Sequence, residues 1–209
     1  LPSSVKTIGE GAFYGCSKLQ NISLGDSLTT IGRGAFAACV ALGQIHIPPT
    51  VNQVGLDIVD QTPWYVNHAP GELYIGTVLY KYIGKMANLT HIAVREGTTG
   101  IAPLAFAGCQ GLDSITLPAS LTSIGKGAFM RTGLRNVSIP AGVTELPEEA
   151  FKECANLSAV TLPATVTRIG HNAFNQCYAL KKATLTSGLT EIGEYAFGYC
   201  TGLTSITLP

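Results

Sequence analysis

Apolar residues return along this chain with a period of about 23, far longer than the repeat of a helix or a strand. Phe13 serves as the reference point. Its equivalents are Phe36, Val59, Phe106, Phe129, Phe151, Phe174 and Phe197, at steps of 23, 23, 47, 23, 22, 23 and 23 residues. The residue before each is Ala, except Ile58. Five residues upstream stand Ile8, Ile31, Val54, Ile101, Ile124, Leu146, Ile169 and Ile192, all aliphatic. Gly follows in every copy but two, where Ala102 and Pro147 take its place. Downstream comes Leu-x-x-Ile-x-Leu, as in LQNISL from Leu19, LDSITL from Leu112 and LSAVTL from Leu157, and Pro often closes the unit, as at Pro48, Pro118, Pro140, Pro163 and Pro209.

A coil of this length cannot bury its own apolar side chains, but stacked coils bury them against equivalent positions above and below. The pattern therefore predicts a repeat solenoid of about 23 residues per coil, read as one domain over 1–209. Leu-x-x-Ile-x-Leu alternates from its fourth position and reads as a strand with one buried face. Successive strands then pair in parallel about 4.8 Å apart, and about nine coils give a stack on the order of 40–45 Å long. Segments such as 5–8 and 121–124 are expected to form a second, shorter parallel ladder. The Gly-x-x-Ala-Phe stretch is too short for a long helix and predicts one helical or 3₁₀ turn per coil.

The doubled step leaves 60–88 as an irregular insertion containing Trp64, Tyr65, Tyr74, Tyr80 and Tyr82. Within it, 72–82 reads as two short strands around Gly76-Thr77, a hairpin.

The unit L-T-x-I-G-x-x-A-F-x-x-C-x-x-L-x-x-I-x-L-P, seen in Leu121–Phe129 and Val166–Leu180, resembles the BspA-like class of leucine-rich repeats. The resemblance covers essentially the whole chain. It implies a right-handed leucine-rich repeat superhelix with a parallel sheet on one face. It also implies a secreted or cell-surface protein of a host-associated microbe that adheres to a protein or a glycan. TPWY (62–65) followed by a hairpin resembles an insertion that recurs in the family, which favours aromatic gap-fillers there over an aromatic binding patch.

Candidate chemistry changes this picture little. Cys16, Cys39, Cys109, Cys154, Cys177 and Cys200 all lie three residues after the reference position, where the other two copies carry Thr62 and Thr132. Stacked equivalents point the same way, whereas a disulfide needs converging Cβ atoms and zinc needs four converging ligands. The six are read as buried free thiols acting as small hydrophobes. Gly9-Glu-Gly11, Gly32-Arg-Gly34 and Gly125-Lys-Gly127 lack the third glycine and the helix of a dinucleotide-binding loop, so they are read as turns. No G-x-S-x-G, H-E-x-x-H or P-loop occurs. His46, His68, His91 and His171 are the only histidines and are read as solvated. Neither a cofactor, a metal site nor a catalytic constellation is expected, and the chain reads as non-enzymatic.

With 13 basic and 13 acidic residues and only 12% charged, nothing draws the chain to nucleic acid or to an anionic membrane surface. No apolar run is long enough for a membrane-spanning helix. The outward strand positions are small, polar and nearly uncharged: Asn21 and Ser23, Gln44 and His46, His91 and Ala93, Ser114 and Thr116, continuing to Ser205 and Thr207. Such a face suits an extended protein or a glycan, and it equally suits any exposed strand. The expected ligand-binding residues are Trp64, Tyr65, Tyr74, Tyr80 and Tyr82 with His46 and His91. A spacer that displays another domain of a longer surface protein is the alternative. Neither end shows a polar cap, so end-to-end self-association or continuation into further sequence is expected.

Overall fold

A computed structural model describes residues 2–207; Leu208 and Pro209, which complete the last repeat, lie outside the described residues, as does Leu1. The chain divides into two compact units, Leu1–Gly84 and Lys85–Pro209. In the first, β1 (Thr7–Ile8), β3 (Thr30–Ile31) and β5 (Gln53–Val54) form one parallel ladder, and β2 (Asn21–Ser23) and β4 (Gln44–His46) form another. Helix α1 (Pro63–Val66) follows, then an antiparallel hairpin of β6 (Gly71–Ile75) and β7 (Val78–Ile83) turning at Gly76-Thr77.

The second unit repeats the design. Its main ladder is β8 (Thr90–Ala93), β10 (Leu112–Thr116), β12 (Asn136–Ser138) and β14 (Ala159–Thr161), all parallel. The short ladder comprises β9 (Gly100–Ile101) with β11 (Ser123–Ile124), and β13 (Glu145–Leu146), β15 (Arg168–Ile169) and β17 (Glu191–Ile192). Finally β16 (Lys182–Thr184) pairs with β18 (Ser205–Thr207). Both expected ladders and the hairpin are present, with equivalent residues in register: Ile22 opposite Ile45, Val137 opposite Val160.

The core follows from that register. Phe106, Phe129, Phe151, Phe174 and Phe197 stack with ring centroids 5.1–5.6 Å apart and planes within 4–14° of parallel. Phe13 and Phe36 stack in the first unit at 5.2 Å. The coil spacing imposes this offset-stacked geometry, which also suits the aromatic quadrupole. Leu42, Leu112, Leu134 and Leu157 are fully buried at the start of the strand pattern.

The corner opposite the main ladder differs from expectation. No helical or 3₁₀ turn forms at the Gly-x-x-Ala-Phe stretch. Instead the residues two before and two after the reference position are left-handed in every copy, from Gly11 (φ 60°) and Gly15 (φ 70°) to Tyr195 (φ 52°) and Tyr199 (φ 55°). Alternating backbone twist sends every second amide to the next coil: Glu149 N–H donates to His171 O, Phe151 N–H to Ala173 O and Glu153 N–H to Asn175 O, at 2.7–2.9 Å. The amides between fold back within the coil, as Lys152 N–H does to Glu149 O at 3.1 Å. A helix would aim all these donors along its own axis and leave the neighbouring coil unbonded.

Glycine after the aliphatic position has a separate cause. A Cβ on Gly32, Gly170 or Gly193 would lie 2.6 Å from a backbone nitrogen of the preceding coil. The coils touch there backbone to backbone.

Two outcomes follow for stability. Gly170→Ala should cost about 1–3 kcal/mol, because the intruding methyl meets backbone and not a side chain that can swing away; urea unfolding reads this. Ala183 stands where other copies place Ile or Val and borders a cavity of about 10 Å³ lined by Val160, Leu162, Phe174, Leu180, Leu185 and Phe197. Ala183→Val should raise stability by about 0.5–1 kcal/mol by filling it, and a loss above 1 kcal/mol would show the space to be unusable.

Candidate functional site

The break in the repeat is built around Tyr80. Its side chain is 3% exposed and its hydroxyl accepts a hydrogen bond from Ile58 N–H at 3.1 Å. In regular copies the amide at that position folds back to its own coil, as Ala35 does to Gly32. Tyr80 thus replaces a missing backbone partner and fills core space. It leaves the expected ligand-binding set: a buried, internally bonded side chain cannot contact a partner.

Tyr65 packs edge-on against Tyr80 at 6.5 Å and is half-buried. Burial, followed by the carboxylates of Asp60 and Asp57, pushes its hydroxyl above the usual tyrosine range. The same two carboxylates lie close enough that burial and Asp57 push Asp60 up, against the pull of Lys81. Trp64 is half-buried on α1, which starts at Thr62: Thr62 Oγ1 accepts from Tyr65 N–H at 3.2 Å and donates to Val59 O at 2.6 Å. Pro63 occupies the first helical turn, where its missing N–H costs nothing. Trp64 meets His68 edge-on at 6.3 Å. Tyr74 and Tyr82 are half-buried on the hairpin, and His46 is exposed at the end of β4. The segment therefore combines gap-filling with partial exposure.

His91 belongs to the second unit. Its Nδ1 lies 2.8 Å from Ser114 Oγ and its Nε2 3.4 Å from Thr116 Oγ1, so two hydroxyls of β10 hold the exposed ring. Along this ladder Thr116, Asn136, Ser138, Ala159 and Thr161 are exposed, as the alternation requires, while Ser114 is half-buried. Two open hollows flank the face. One, of about 400 Å³, lies past the C-terminal ends of β10 and β12; the other, of about 390 Å³, is lined by Arg135, Asn156, Ser158 and Ala179. Ion pairs bridge neighbouring coils elsewhere, including Arg131 to Glu153 through two contacts of 2.7 and 3.1 Å. They lie largely in solvent, where water and salt screen them, so they add little to stability.

Tyr178, Tyr195 and Tyr199 were not among the sequence candidates, yet they are 47%, 66% and 68% exposed. The signal was available: Tyr195 and Tyr199 hold the two left-handed positions that other coils give to residues such as Gly11, Gly34, Gly15 and Gly108.

The cysteine ladder acquires a reason. Cys39, Cys154, Cys177 and Cys200 are buried, and each Sγ donates to the carbonyl of the reference Phe one coil upstream at 3.0–3.2 Å. Thr132, at the equivalent position, touches Cys154 Sγ at 3.2 Å. All six are free, but the expectation that all are buried fails for Cys16, which is exposed, and Cys109, which is half-buried. Among the described residues no group of three or more His, Cys, Asp or Glu could hold a metal ion, and no helix is long and apolar enough to cross a membrane.

This geometry is that of a leucine-rich repeat protein. The sequence profile of the BspA type leucine rich repeat region matches residues 1–62 and 77–209, in six copies, and the chain belongs to that family. Three solved structures share the fold. A leucine rich cell surface protein from Faecalibacterium prausnitzii A2-165 is 24% identical with a TM-score of 0.63, over 99% of this chain and 70% of its own. The pneumococcal vaccine antigen PcpA is 19% identical, TM-score 0.57, over 98% of this chain and 66% of its own. A leucine-rich repeat protein from Eubacterium ventriosum is 18% identical, TM-score 0.52, over 100% and 77%. No curated protein matches the chain.

Burial pushes the Cys154 thiol up to about 11 from an ordinary 9.0, and burial likewise raises Cys39 and Cys200. Folding then favours the protonated thiol, so its contribution is complete below pH 9 and is lost as pH climbs toward 11. Wild-type stability should fall by up to about 3 kcal/mol more than that of Cys154→Val across this window, measured by urea midpoints at each pH. At pH 8 a thiol reagent should label Cys16 first and leave Cys39, Cys154, Cys177 and Cys200 untouched until the protein unfolds.

Proposed function

We propose that this chain is a non-catalytic binding and adhesion module of a secreted or cell-surface protein, taking a protein or glycan ligand. The observation that carries the reading is the main ladder's outer face. Register pins one side of each strand into the core and leaves a row of exposed, small, uncharged polar groups on the other. Such a face costs little to desolvate and offers hydrogen bonds at each coil. The first unit adds the half-buried aromatics Trp64, Tyr65, Tyr74 and Tyr82, with His46 exposed on β4, and the second adds His91. Aromatic side chains that keep part of their surface in water are frequent anchors of interfaces. Surface location is supported by the Faecalibacterium protein, described as a leucine rich cell surface protein, and by the vaccine antigen PcpA.

The test is immobilised protein screened against host matrix proteins and a glycan array, wild type beside Trp64→Ala and the pair Ser138→Arg, Thr161→Arg. Loss of at least tenfold in affinity at unchanged thermal midpoint supports the module, assigning the ladder face if the arginine pair causes it and the aromatic insertion if Trp64→Ala does. If wild type retains nothing from either panel, the spacer reading replaces this one.

A further inference from the structure

Thr116 belongs to two features at once. Its Oγ1 is 3.4 Å from His91 Nε2, and His91 Nδ1 is 2.8 Å from Ser114 Oγ. It also forms part of the wall of the hollow of about 400 Å³ beyond β10 and β12, with Leu117, Ala119, Ser138, Pro140 and Ala141. No residue of that lining is charged. A charged ligand would shed water here and meet no counter-charge. Leu117 and Pro140 supply aliphatic surface, while the hydroxyls of Thr116 and Ser138 can each donate and accept. A ring with C–H groups on its faces and hydroxyls around its rim presents the complementary pattern. The volume sits at the small end of the range for ligand pockets, roughly 300–1,000 Å³, which suits one or two such rings.

We infer that this hollow is a subsite for a neutral oligosaccharide, hydrogen-bonded by Thr116 and Ser138, with His91 acting as a positioning residue that orients the Thr116 hydroxyl. The inference rests on the binding-module reading above and names its ligand class. The remainder of the chain of sugars has a path: Ser138 is in register with Thr161 on the next strand, so outward hydroxyls continue at one per coil, about 4.8 Å apart. The second hollow, with Arg135 among its lining residues, lacks this uncharged character, and Arg135 is already paired with Asp113 at 2.7 Å.

The experiment titrates the whole protein with cellotetraose, mannotetraose and, as the anionic control, tetragalacturonate, by calorimetry and by amide chemical-shift perturbation. A neutral tetrasaccharide should saturate the protein and shift amides of 114–119 and 136–141. Thr116→Val and Ala141→Trp should each weaken its binding at least tenfold at unchanged thermal midpoint; Ala141 is exposed, so the indole fills the hollow without entering the core. His91→Ala should weaken binding several-fold in wild type and not at all in the Thr116→Val background, a non-additivity that loss of a direct sugar contact would not produce. Tetragalacturonate binding as tightly as the neutral sugars, or Ala141→Trp binding like wild type, overturns the inference. So does failure of both neutral sugars to saturate wild type. If neither neutral sugar saturates wild type while a matrix protein does bind it, the inference has failed and the binding-module reading stands. If the sugars bind the hollow while neither host panel binds, the subsite stands and adhesion fails.

Discussion

The spacing of one parallel strand from the next, about 4.8 Å, governs everything else in this protein. Hydrogen bonds hold successive coils at that distance on the strand side, and alternate amides hold them there at the corner. Once the distance is set, the side chains have little choice. Phe rings must stack nearly parallel, because any larger tilt would open one contact while closing another. Glycine is favoured where backbones touch, and six of the eight copies carry it there. A small group with a weak donor suits the site three residues after each Phe, and cysteine meets both needs: its volume suits the space and its S–H adds a second hydrogen bond to a carbonyl such as Phe151 O, which already accepts from Cys154 N–H.

This explains which features were legible in the sequence. The core is read directly from the period, since stacking makes each coil's buried positions those of its neighbour; Phe129, Leu134 and Val137 could be assigned before any coordinates. The hairpin at Gly76-Thr77 was legible from turn chemistry. The corner was not. Its left-handed positions hold Gly in some copies but Leu104, Arg131 and Tyr195 in others, so local propensity gave no consistent answer, and hydrogen bonds to the next coil decided the conformation. Tyr80 was misread for a related reason. Its composition suggested an interface, but its place was fixed by a backbone donor, Ile58 N–H, left without its usual acceptor.

The candidate surfaces divide along the same line. Strand-face residues were found because alternation assigns them to solvent. The hollow beyond β10 and β12 was not, because it arises from loops after two strands that are distant in sequence and adjacent only through stacking.

The corner also shows where this architecture can acquire specificity. A non-glycine residue in a left-handed conformation costs about 1 kcal/mol or more, and the corners carry many, Tyr195 and Tyr199 on a single coil among them. The cost is tolerated because the backbone is held by bonds to the next coil, which do not depend on the side chain. Leu104 and Glu149 therefore share one left-handed site, and Arg131 and Gln176 the other, with unrelated chemistry at each. The outer strand positions share that freedom: Asn136 and Ala159 differ while paired in register, as do Lys182 and Ser205. A solenoid of this kind separates its sequence into positions that set the spacing and positions that the spacing leaves free. A distinctive surface can be built only where free positions from several coils meet, as Thr116 and Ser138 do beside His91.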